Sequence, residues 1–400
     1  MEKTWRWFGK NDPITLDMLR QIGVEGIVTS LHHIPNGDIW SYEAILETKS
    51  FIESFGLRWS VVESLPVSEP IKYGGADRER LLENYRQSLL NLGKAGIRTV
   101  VYNFMPVIDW IRTDLNFMLA DGTQTLYFDK IRFAYFDCYI LNRKGAEKDY
   151  STDEMKQVNA LKEIITPEEI EGLINTIIVK TQGFVNENFK GDVSKPVDLF
   201  NQLLAFYDGI DKSQLRENFK YFLESVIPTA EEARVNLCVH PDDPPFPVLG
   251  LPRIVGNTED IEWLLNVVKS PNNGFTFCAG SLSSGLHNDV PAMARQFAMR
   301  THFVHLRSTE VADNGNFMEA SHLEGRGHLV ELIHVFETAN PGLPMRVDHG
   351  KLILDDVHKK HNPGYSFLGR MYALAQVSGI LATVNSESYG VKSSKIVNGK

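Results

Sequence analysis

The second half of the chain carries four groups of side chains able to bind a divalent cation, each closing a short β-branched run. Cys238-Val239-His240 leads into Pro-Asp-Asp-Pro-Pro, and Cys278 precedes Ala279-Gly280. His302 and His305 precede Arg307, and Asp348-His349 precedes Gly350. Imidazole, thiolate and carboxylate together suit a borderline ion such as Mn²⁺, Fe²⁺, Co²⁺ or Zn²⁺ and disfavour Mg²⁺ or Ca²⁺. A lone buried Cys or His is more often a packed core residue than a ligand. Four consecutive strand ends so equipped point instead to one cation bound at a shared end of a sheet.

Strand parity narrows the set, because side chains two apart share a face. Cys238 and His240 point the same way, with His240 one layer nearer the strand end, so His240 is the expected ligand and Cys238 lies deeper. His302 and His305 have opposite parity; His305, on the face of Phe303 and Arg307, is expected to face inward and His302 to face a helix. Asp348 and His349 also have opposite parity, so one binds metal while the other reaches substrate. The prolines of the segment after His240 would hold that ligand rigidly. Arg307 is placed to fork a substrate carboxylate or to make an internal salt bridge. His32-His33 lines the site or belongs to a polar turn; Glu63 faces the site or caps a helix. Tyr365, after Asn-Pro-Gly, is a reactive phenol or a staple for the following helix.

Positioning these groups requires parallel strands, which read as nearly continuous apolar runs. Candidates are 24–31, 57–64, 98–104, 234–240, 274–279, 301–307, 343–349 and 377–385. Helical patterns lie between them at 42–55, 77–93, 259–269 and 327–338, several ended by glycine. Eight strands alternating with helices predict an α/β fold, a TIM (β/α)8 barrel, as a single domain over 1–400. Residues 105–230, after strand three, exceed a normal βα unit and are expected to form a largely helical insertion capping the mouth.

Composition agrees with a globular enzyme. At 43% hydrophobic and 23% charged, the 400 residues can bury a sizeable core. A formal net charge of −10 argues against a nucleic-acid or anionic-membrane partner. The start MEKTWRWFGKND lacks the apolar region of a signal peptide, and no run of eighteen apolar residues occurs. Three cysteines without regular spacing are no disulfide framework and fit a reducing compartment. A cytoplasmic location is the resulting expectation.

Several segments together resemble the mannonate dehydratase family of the xylose-isomerase-like type. They are RWFG, GIVTSLHHIPNGDIW, VVESLPVSEPIK, CVHPDDPPFPVLGLPRIV, FCAGSLSSG, HFVHLR, RVDHG and NPGYSFLGRMYAL, in order along nearly the whole chain. The resemblance implies dehydration of D-mannonate to 2-dehydro-3-deoxy-D-gluconate in hexuronate catabolism, with one Mn²⁺ or Fe²⁺ per chain. It implies His240, Cys278, His305 and Asp348 as ligands, His349 and Tyr365 as the acid–base pair, and a homodimer. Arg307, His33 and Glu63 are the expected contacts to the small aldonate substrate. Removing a proton alpha to a carboxylate creates a dianionic enediolate, so a cation and an acid–base pair are the parts this chemistry needs. The alternative is a divalent-metal sugar isomerase on the same barrel.

Overall fold

A computed structural model describes residues 1–183 and 194–397, with side chains up to 386. Among the described residues twelve strands form two sheets. Strands β1 (Glu2–Arg6), β2 (Gly26–Thr29), β3 (Arg58–Glu63) and β4 (Thr99–Tyr102) lie in the first part of the chain. Next come β5 (Asp114–Met118), β6 (Gln124–Phe128), β7 (Asn236–Val239) and β8 (Asn273–Cys278). The last four are β9 (Thr301–Leu306), β10 (Thr309–Val311), β11 (Phe317–Glu319) and β12 (Pro344–Val347). A closed parallel barrel runs in the order β1-β12-β9-β8-β7-β4-β3-β2. This is the expected eight-stranded closure.

Two assignments are corrected. Residues 377–385 are not a strand; they lie within the helix Leu368–Val397. Their short apolar run is ambiguous by length, but Ala373, Leu374, Val377, Leu381 and Val384 are buried at helical spacing. The missing barrel strand is β1, whose sequence EKTWR has no apolar run to announce it. The insertion therefore follows the fourth barrel strand.

Within 105–230 the structure separates three parts, and residues 184–193 lie outside the described set. The hairpin β5–β6 joins β11 and β10 in a four-stranded antiparallel sheet, order β10-β11-β6-β5. Short helices follow, among them Thr152–Lys162 and Pro167–Ile174, each opened by a capping box at Ser151/Glu154 and Thr166/Glu169. The helix Lys212–Ala233 belongs to the barrel's own outer layer. It packs on the helix Arg78–Lys94, with Tyr85 and Phe222 rings 5.2 Å apart.

Alternation along the strands builds the barrel interior in layers. Val28, Val61, Val101, Cys238 and Phe303 form one buried apolar cluster. Two residues further on, about 6.6 Å along each strand, come Ser30, Glu63, Asn103, His240 and His305. The C-terminal mouth of the barrel is thus polar while the layer beneath is apolar, which is where such barrels carry their chemistry.

Candidate metal centre and acid–base site

Register brings the ligand candidates together. Cys278 on β8 pairs directly with His305 on β9. His240 follows β7, its amide bonded to the Tyr102 carbonyl at 2.7 Å. Donor atoms of His240, Cys278 and His305 all lie within 4.8 Å of one another. His240 Nδ1 lies 2.7 Å from the Pro241 carbonyl. Donation there leaves Nε2, once it gives up its proton, as the nitrogen available to a metal.

Electrostatics act on the thiol in the same direction. Burial alone would raise the Cys278 thiol, but Arg307 and His240 outweigh it and hold the thiol well below its usual range. Burial opposes charge on His240 too, yet the adjacent Cys278 raises its imidazole to about 9. A thiolate between two imidazoles, fully buried at Cys278 and His305, fits a borderline divalent ion. Cys238 is the contrast. It lies in the apolar layer, donates to the Val100 carbonyl at 3.4 Å, and burial pushes it up to about 12. His302 faces outward, its Nε2 3.1 Å from the Pro271 carbonyl, and burial lowers it to about 4.

Asp348 stands beside this trio. Its Oδ2 is 3.8 Å from His305 Nδ1 and 2.8 Å from Arg307 Nε, and Arg346 binds its other oxygen. Burial would raise the carboxyl, but Arg346 and its neighbouring cations hold it well below the usual carboxylate range. Glu63, at the end of β3, points into the site: Oε1 is 3.2 Å from His305 Nε2, and both oxygens pair with Arg346.

His349 and Tyr365 meet across the same cavity of about 80 Å³, their rings 5.2 Å apart and perpendicular. His349 Nδ1 lies 3.2 Å from Glu319 Oε1, which directs Nε2 away from that carboxylate. Tyr365 is buried, and burial raises its phenol. Gly364 makes this approach possible, since it adopts φ +80° and a Cβ there would lie 2.7 Å from the His349 ring.

Of the expected substrate contacts, Arg307 lines this cavity and His33 does not. Arg307 does not present a free fork: Nη1 pairs with Glu319 at 2.7 Å, Nη2 with Asp243, and Nε with Asp348 at 2.8 Å. Its stem passes so close to Gly280 that no Cβ would fit there. His33 is exposed and lines neither cavity; the turn after β2 sends His32 instead to a second cavity of about 100 Å³.

Several site residues escaped the sequence reading. Arg112 is fully buried and bridges Asp243 and Glu319 at 3.0 and 2.6 Å. Together with Arg307 it outweighs the burial that would raise Glu319, holding that carboxyl at about 2. Arg6, Asp109 and Trp110 also line the cavity. Parity could have found Arg346, which shares the Asp348 face, whereas Glu319 lies on a three-residue strand with no periodic signal. Of the insertion, Met105, Val107, Asp109 and Trp110 line the cavities and its described helices line neither. Among the described residues no helix is long and apolar enough to cross a membrane.

The sequence profile of the D-mannonate dehydratase (UxuA) family matches residues 1–389. A mannonate dehydratase of Marinomonas sp. (strain MWYL1) is 47% identical over 95% of this chain and 98% of its own length. One from Chromohalobacter salexigens is 45% identical, again covering 95% and 98%. The crystal structure of mannonate dehydratase from Streptococcus suis serotype 2 superposes with a TM-score of 0.74 at 33% identity, covering 97% of this chain and 96% of that one.

Proposed function

Because the chain belongs to the D-mannonate dehydratase family, we propose that it removes water from D-mannonate to give 2-dehydro-3-deoxy-D-gluconate, as a Mn²⁺- or Fe²⁺-dependent hydro-lyase of hexuronate catabolism. The observation that carries this reading is the convergence of His240, Cys278 and His305, with His240 lining the same cavity as Asp348, His349 and Tyr365. His240, Cys278 and His305 would hold the ion, with Asp348 as fourth donor. A divalent ion there would supply Lewis-acid stabilisation of the negative charge that develops on the carboxylate when C2 loses its proton.

The remaining work falls to the protein's own groups. Glu319 fixes His349 with its proton on Nδ1, so Nε2 is free to take the proton from C2. Tyr365 keeps its proton because burial disfavours the phenolate, and so it protonates the departing C3 hydroxyl. Trp110, whose ring centroid is 5.3 Å from that of His349, excludes water from one side of the base. Glu63 and Arg346 hold His305 in place through the contacts described above.

A sugar isomerase on the same barrel is the less favoured reading, since the relatives matched along almost the whole chain are dehydratases. The test is incubation of purified protein with D-mannonate and Mn²⁺ or Fe²⁺ under reducing conditions, with assay of the 2-keto product. Product that disappears on chelation is expected. No product with either ion contradicts the proposal.

A further inference from the structure

Arg6 ends β1 at the barrel mouth and lines both cavities, the one lined by His240, His349 and Tyr365 and the adjoining one. It is 8% exposed, and its buried Nη1 has no hydrogen-bond partner. Its two neighbours around the cavity differ. Arg307 faces Glu319, Asp243 and Asp348, and Arg346 faces Glu63 and Asp348. Arg6 makes no salt bridge among the described residues. A buried guanidinium N–H without a hydrogen-bond partner is costly, and an incoming carboxylate removes that cost because its oxygens match the planar fork.

The position suits such a contact. The Arg6 guanidinium lies 5.1 Å from the centre of the Phe8 ring, which stands edge-on to Tyr365 at 5.0 Å. A carboxylate gripped here has its alpha carbon one bond away, in the cavity that His349 and Tyr365 also line. The adjoining cavity offers Asn36, Asn103, Lys72 and Asp109 for the hydroxyls of a polyol tail. We infer that Arg6 is the residue that recognises the substrate carboxylate, selecting an aldonate over the neutral polyol of the same length. This rests on the dehydratase reading.

The test compares D-mannonate with D-mannitol, its neutral counterpart, by calorimetric binding to the Mn²⁺-loaded wild type, Arg6→Met and Arg6→Lys, alongside turnover and thermal melting. In Arg6→Met, mannonate affinity falls roughly 10- to 100-fold, the scale of charge-assisted hydrogen bonds. Mannitol affinity stays unchanged and melting temperature changes little, since no salt bridge among the described residues is lost and only the contact with the Phe8 ring goes. Arg6→Lys keeps the charge and lies between, and it decides the matter should the Met variant fail to fold. Retained mannonate affinity in both variants, or equal losses for both ligands, overturns the assignment. A wild type that neither binds nor dehydrates mannonate overturns the dehydratase reading beneath it.

Discussion

Two adjacent layers of one barrel hold the same chemical group in opposite states. Cys238 and Cys278 lie on neighbouring strands β7 and β8, both fully buried. In the lower layer Cys238 meets valines and Phe303, and burial keeps its proton on. In the mouth layer Arg307 and His240 overcome the same burial and favour the thiolate at Cys278. Burial alone therefore does not decide reactivity; the cations that the next residues along each strand bring do. A shift of one layer separates an inert packing residue from a metal ligand.

The sharpest way to break this contrast is to exchange the two sulfurs for oxygen in turn. Cys278→Ser is expected to abolish turnover and to lower metal affinity by more than the roughly 100-fold typical of losing an outer partner. Metal content by elemental analysis and initial rates check it. Next in size is Glu319→Gln, which leaves Arg112 and Arg307 short of charge in a buried network. It should destabilise the fold by about 3–5 kcal/mol in denaturant unfolding. The same network predicts acid behaviour. Glu319 has a folded value of about 2 against a usual 4.5, so its contribution is fully present above that usual value. It is lost as pH falls from there through the folded value, and melting temperature in wild type should decline over that window more than in Glu319→Gln.

Cys238→Ser places a hydroxyl in the apolar layer and should cost about 1–3 kcal/mol with metal content unchanged. Reduced metal content there would show that the two layers are not separate. The smallest effect is expected for His302→Gln, within about 1 kcal/mol and without loss of metal, because its ring lies outside the barrel interior. Metal loss in that variant would reverse the parity argument for His305.

How much of this was legible in sequence follows the same division between layers. Period-two alternation correctly put Cys238 below His240 and Phe303 below His305, because a strand admits no other arrangement. Helices between the strands were legible to within a few residues for the equivalent reason. β1 was not, since its inward positions are Thr4 and Arg6 and no apolar run marks it. Residues 377–385 misled because an apolar run of strand length can equally be one buried face of a helix. Glu319 and Arg112 reach the site from the second sheet and the loop before it. Only tertiary pairing of β11 with β6 brings those segments together, and no local pattern encodes that. His33 shows the limit of naming a substrate contact by residue type, because turn geometry decides which side chain faces the cavity, whereas Arg307 lines the cavity with its guanidinium taken up by three carboxylates.

The central claim is that Cys278, and not Cys238, binds the ion together with His240 and His305. Replacing the native ion with Co²⁺ tests it directly, because a cobalt–thiolate bond gives a ligand-to-metal charge-transfer band in the near ultraviolet. The band is expected in wild type and in Cys238→Ser and absent in Cys278→Ser. A band that survives in Cys278→Ser, or is lost in Cys238→Ser, would contradict the account.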